Sequence, residues 1–188
     1  MTLDSVRKTK NAKKQNDPAE HIQITEEDLE VYETEHNSGC ATVVMIDISH
    51  SMILYGEDRI TPAKKVALAL TELIITKYPK DSIDVLLFGD EAVEVPISEI
   101  PYVKVGPYHT NTRACLALAR KLLVHRKNPN KQIFLITDGK PSAIWERGRL
   151  YKNPFGLDLK IVNRTLEEAD ACRRDGITIT TFMIATDS

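Results

Sequence analysis

The sequence predicts a doubly wound α/β domain with a mainly parallel central sheet flanked by helices. Three observations predict it. Short apolar runs rich in β-branched residues recur near 41–48, 83–88, 132–137 and 177–185, each too short for a helix and without helical period. Such runs read as strands buried on both faces, as in a parallel sheet. Between them lie segments with apolar residues at helical spacing, and that alternation is the signature of this class. Finally, 188 residues with 42% hydrophobic and 28% charged content suit one soluble globular unit large enough for a real core.

Residues 1–36 stand apart as a charged arm. A basic head (Arg7, Lys8, Lys10, Lys13, Lys14) precedes an acidic stretch from Glu20 to Glu35, with sparse apolar residues and no sustained period. The arm reads as a solvated tail, with a short element over Ile22 to Tyr32 as the alternative, since Thr25 and Asp28 resemble a capping box. The folded domain is expected over 37–188.

The first strand, 41–48, runs into Asp47, Ser49 and Ser51, spaced by two. Gly56 to Arg59 reads as a loop and Thr61-Pro62 as a helix start, with Val66, Ala69, Leu70, Leu73 and Ile74 as the inward face. Tyr78-Pro79 ends that helix. The strand at 83–88 closes at Gly89-Asp90, and 92–97 alternates around Pro96, which suits an edge strand. A helix is expected from Thr112 to His125, with Cys115, Leu118, Ala119 and Leu122 inward. His109 before it reads as a surface loop residue. After the strand at 132–137, residues 140–160 look like a long loop carrying Trp145, Tyr151 and Phe155 among Arg147, Arg149 and Lys152. That composition suits an interface or a lid folded back on the domain. A last helix from Val162, with Leu166, Ala169 and Cys172 inward, stops at Asp175-Gly176, and 177–185 is the final strand.

In open α/β sheets ligands bind beyond the carboxyl ends of the strands. Asp47, Ser49 and Ser51 fall there, as does Asp138 before Gly139, and Thr110 stands just ahead of a helix. Hydroxyls and carboxylates together suit a hard divalent cation, which takes about six oxygen ligands and keeps several waters. On these residues the chain resembles the von Willebrand factor A (vWA) domain with its metal-ion-dependent adhesion site. The motif Asp-x-Ser-x-Ser falls on Asp47, Ser49 and Ser51, the separate threonine on Thr110 and the second aspartate on Asp138. His50 stands where glycine is common. The resemblance covers roughly Thr42 to Ala185.

That resemblance implies a Rossmann-like vWA fold and a bound Mg2+, with Mn2+ or Ca2+ as other possible occupants. Ser49, Ser51 and Thr110 would coordinate the ion directly, Asp47 and Asp138 would hold its waters, and a partner's acidic side chain would take the open position. Proteins of the bacterial cytoplasmic type are similar to the adhesion-site subunit of magnesium chelatase, which implies an adaptor or co-chaperone for an AAA ATPase. The family continues through one more helix and strand, so the domain is expected to lack those last elements.

The competing function class is a magnesium-dependent phosphohydrolase with Asp47 as nucleophile. Ser49 stands where such an enzyme needs its second carboxylate, and there is no phosphate-binding glycine loop with lysine. A non-enzymatic role is expected. The net charge of −2 argues against nucleic acid, and no apolar run is long enough for a membrane span. Three scattered cysteines and the lack of a signal-peptide core point to a reducing, cytoplasmic setting.

Overall fold

A computed structural model of the protein describes residues 39–153 and 155–184. The expected arm over 1–36 and the positions after Ile184 lie outside the described residues. Seven strands and three α-helices follow in chain order: β1 (Cys40–Asp47), α1 (Ile60–Lys77), β2 (Ser82–Phe88), β3 (Ala92–Val95), α2 (Thr112–Val124), β4 (Asn130–Thr137), β5 (Ala143–Glu146), β6 (Arg149–Lys152), α3 (Leu159–Arg174) and β7 (Ile177–Met183). Short 3-10 turns fill His50–Gly56 and Ile97–Tyr102.

Five strands form one sheet in the order β3-β2-β1-β4-β7, with β3 antiparallel to β2 and the other pairs parallel. The sheet is thus built from its central strand, β1, outward in both directions. Every side chain of β1 from Ala41 to Asp47 is buried, which explains its unbroken apolar composition. Successive residues point to opposite faces. Val43 and Met45 join a core with Cys115, Leu116, Ala119, Leu123 and Cys172 from α2 and α3. Val44 and Ile46 join the opposite core with Ile60, Ala63 and Ala67 from α1.

Several expectations need correction. Helix α1 begins at Ile60 rather than at a Thr61 cap, and Asp58 Oδ1 accepts the Thr61 amide at 3.0 Å. Its buried residues are Ile60, Ala63, Ala67, Thr71 and Ile74, whereas Leu73 is half exposed. The near-continuous apolar run from Val66 to Ile75 leaves the helical phase ambiguous, and the phase adopted puts small residues against the sheet. In α3, Leu166 is exposed and Ile161 buried instead. That helix starts at Leu159, because Asp158 caps it by accepting the Lys160 and Ile161 amides at 2.9 and 3.2 Å. Strand β3 stops at Val95, since Pro96 has no amide to extend the ladder.

The largest departure is in 140–160. Instead of a loop, β5 and β6 pair as a separate antiparallel hairpin, turning through Arg147 (φ 48°) and Gly148 (φ 77°). Two consecutive positive φ angles make a type I′ turn, whose twist matches the strands. Ala143 and Ile144 are buried, so the hairpin is anchored to the domain.

Candidate metal centre

The carboxyl ends of β1 and β4, neighbours in the sheet, deliver Asp47 and Asp138 side by side. Asp47 is fully buried. Its Oδ1 accepts the Ser49 amide at 2.8 Å and its Oδ2 accepts the Thr137 hydroxyl at 2.6 Å. Burial raises its pKa to about 6, opposed by those hydrogen bonds from Ser49 and Thr137. The first bond also bends the chain out of the strand and sets the two serines on the sheet rim.

From there one chain of hydroxyls crosses the site. Thr110 Oγ1 donates to Ser49 Oγ at 3.0 Å, Ser49 and Ser51 share a 2.9 Å bond, and Ser51 Oγ donates to Asp138 Oδ1 at 2.8 Å. Because the single Ser51 proton goes to Asp138, Ser49 is the donor to Ser51. All five residues that the sequence points to are therefore brought together, with long-range contacts among them spanning 61 and 87 positions of chain.

Thr110 is held at both backbone atoms. Its amide donates to Ser142 Oγ at 2.9 Å, and its carbonyl accepts the Ser142 and Ala143 amides at 2.9 and 3.3 Å. Nearby, Asp90 Oδ1 accepts the His109 amide at 2.8 Å and lies 3.0 Å from His109 Nδ1. His109, expected as an unremarkable loop residue, is thereby fixed against the rim. An open cleft of about 410 Å³ lies over these hydroxyls, lined also by His50, Tyr108, Lys140 and Asn153.

Three contributors escaped sequence reasoning. The sequence marks Thr137 only as a strand residue, yet it fixes the Asp47 carboxylate. Ser142 follows the second aspartate by four positions, and no spacing rule ties it to Thr110. The sequence marks Arg59 only as a loop residue, yet its Nη1 lies 2.7 Å from Asp138 Oδ2, with the Asp138 side chain fully enclosed. The other side of the guanidinium pairs with Glu57. The 3-10 turn from His50 to Gly56 swings Arg59 back to the rim, with its amide on the Met52 carbonyl at 3.0 Å.

The donor set fits a divalent cation. Adjacent ligands of an octahedral ion bonded at ~2.1 Å sit ~3.0 Å apart, and the Thr110–Ser49 and Ser49–Ser51 oxygens are 3.0 and 2.9 Å apart. Among the described residues there is no cluster of three or more His, Cys, Asp and Glu side chains placed for a metal, so an ion here would rest mainly on neutral hydroxyls.

Comparisons with known proteins agree with this architecture. Among solved structures, a variant of the PilB minor pilin from Streptococcus sanguinis superposes with a TM-score of 0.61 at 15% identity, covering 82% of this chain and 52% of that one. The pilus adhesin SpaC from Lactobacillus rhamnosus GG gives 0.60 at 18% identity, covering 78% and 24%. BatB from Bacteroides thetaiotaomicron gives 0.56 at 18%, covering 77% and 66%. These likenesses establish a vWA-type fold. In sequence, the uncharacterized protein Rv0959 of Mycobacterium tuberculosis and its Mycobacterium bovis counterpart Mb0984 are each 31% identical over 174 residues. The match covers 89% of this chain and 25% of each relative, so the chain spans about a quarter of their length. Residues 40–188 match the family model described as "Rv0959-like protein, vWA domain", and the chain belongs to that family.

Proposed function

We infer that this domain is a metal-dependent protein-binding module. The observation that carries the reading is the run of three hydroxyl oxygens at ligand spacing, ending on Asp138 and flanked by Asp47, with the two carboxylates at the ends of adjacent strands. Ser49, Ser51 and Thr110 would ligate a Mg2+-type ion, with Mn2+ and Ca2+ as other candidates. Asp47 and Asp138 would hold its waters and offset its charge. Such an ion supplies an electrophilic position for an oxygen ligand, and an acidic side chain of a partner protein is the fitting occupant. An adaptor role beside an AAA ATPase, in the cytoplasm, extends this reading. Among the described residues no helix is long and apolar enough to cross a membrane.

The domain has no catalytic role in this reading. A phosphohydrolase would need Asp47 free to attack, but both of its oxygens are engaged and it is fully buried. Turnover of a generic phosphate ester that was lost in Asp47→Asn would reverse this view.

The test of the binding reading is titration calorimetry with Mg2+, followed by chelator-reversible capture of protein partners. Asp47→Ala should abolish both, because a divalent ion loses charge compensation. Thr110→Ala should weaken the ion and lose most partner capture, since water can replace one neutral ligand. Partner capture by Thr110→Ala at the wild-type level would sink the mechanism.

A further inference from the structure

Arg59 is an element of the site that a cation-binding scheme does not call for. It is a permanent positive charge placed 2.7 Å from a carboxylate with no exposed surface. Asp47 and Asp138 bring two negative charges, and Arg59 returns one positive charge. A divalent ion therefore turns the inner site from a net −1 to a net +1. Glu57 offsets Arg59 from its far side, but that carboxylate is 35% exposed, and water screens it more than it screens the enclosed Asp138.

We propose that Arg59 is a built-in competing cation that sets the metal affinity of this site and makes the loaded site demand an anionic ligand. The inference rests on the metal reading above and deepens it. In the metal-free protein the guanidinium stabilises Asp138, where a lone enclosed carboxylate would be costly. When the ion arrives, the same guanidinium repels it and shares its counter-charge. The bound state is then under-neutralised until a carboxylate from outside completes it. Metal and acidic partner consequently bind with positive coupling, which is reciprocal by linkage.

The prediction has opposite signs in two measurements, which a merely structural role for Arg59 does not produce. In EDTA, Arg59→Gln should melt below wild type, because Asp138 loses its ion pair and keeps only the Ser51 hydroxyl. In titration calorimetry with Mg2+ alone, Arg59→Gln should bind about tenfold tighter than wild type or better. Arg59→Lys, which keeps the charge, should stay near wild type. Glu57→Gln probes the same competition without touching the enclosed pair. It concentrates the guanidinium charge on Asp138 and should weaken Mg2+ binding, so the idea stays testable if Arg59→Gln fails to fold. Mg2+ affinity in Arg59→Gln equal to or below wild type overturns the proposal while leaving the metal site intact. For a variant that does not fold, unchanged affinity in Glu57→Gln does the same. Absence of Mg2+ binding in wild type and every variant overturns the metal reading and this proposal together.

Discussion

Asp47 carries a cost that its position makes unavoidable. Its pKa is raised from 3.8 to about 6, chiefly by burial. Between those values the folded state keeps a proton that the unfolded chain has lost, so folding stability falls as pH rises from about 4 to about 6. The loss is complete above that window and is worth about 3 kcal/mol. Asp47→Asn should therefore stabilise the metal-free protein at pH 7, by about 1–3 kcal/mol, and bring no gain near pH 4. Urea denaturation in EDTA at the two pH values checks this, and Mg2+ should stabilise wild type but not the variant. A buried carboxylate kept at this expense is the trade of stability for function that the metal reading would require. Its place at the strand end was legible from the sequence, where the Asp-x-Ser-x-Ser spacing gains weight from Thr110 and Asp138 falling ahead of a helix and after another apolar run. The partners Thr137, Ser142 and Arg59 were not, because their roles depend on which distant strand ends and turns become neighbours.

At the level of elements, the hairpin of β5 and β6 shows the limit of pattern reading. Each strand has four residues, too few to display alternation, and the turn Arg147-Gly148 lacks the Asn-Gly or Asp-Gly signature. Arg147 pays a conformational penalty at φ 48°, so Arg147→Asn should stabilise the hairpin by about 0.5–1 kcal/mol. Gly148→Val should destabilise it, and hydrogen exchange of the β5 and β6 amides would show both changes. Asp158 ties this hairpin to α3, because Oδ1 accepts the first helical amides while Oδ2 accepts the Tyr151 hydroxyl at 2.9 Å. Those hydrogen bonds, the one from Tyr151 foremost, lower the Asp158 pKa. Its contribution is present above its unfolded pKa and is lost as pH falls through the folded one. Asp158→Ala should accordingly lower the melting temperature at neutral pH and matter little in strong acid. Long periodic elements such as α2 were legible to within a residue. The phase of α1 was not, since apolar residues surround too much of that helix for period alone to choose a face.

For the molecule as a whole, two cores lie on opposite faces of one sheet, and β1 contributes to both. A truncation far from the rim, Leu123→Ala in the core under α2, should cost about 2–5 kcal/mol in urea denaturation. It should leave the increment of stability added by Mg2+ unchanged, because Leu123 touches none of the rim hydroxyls; a changed increment would show that core and rim are coupled. The outward winding of the chain from β1 has a further effect, on time. Asp47, Ser49 and Ser51 leave the ribosome before their hydrogen-bond partners Thr110, Thr137 and Asp138, which follow 61, 90 and 87 positions later. Parallel pairings that close such long loops form slowly. During synthesis the earlier residues therefore wait as an unassembled half-site, and the run of rim hydroxyls and carboxylates is not complete until β4 has docked beside β1. If the proposed binding holds, competence to bind would certify that β4 has docked beside β1, and a nascent chain lacking β4 would not occupy a partner ahead of the folded one.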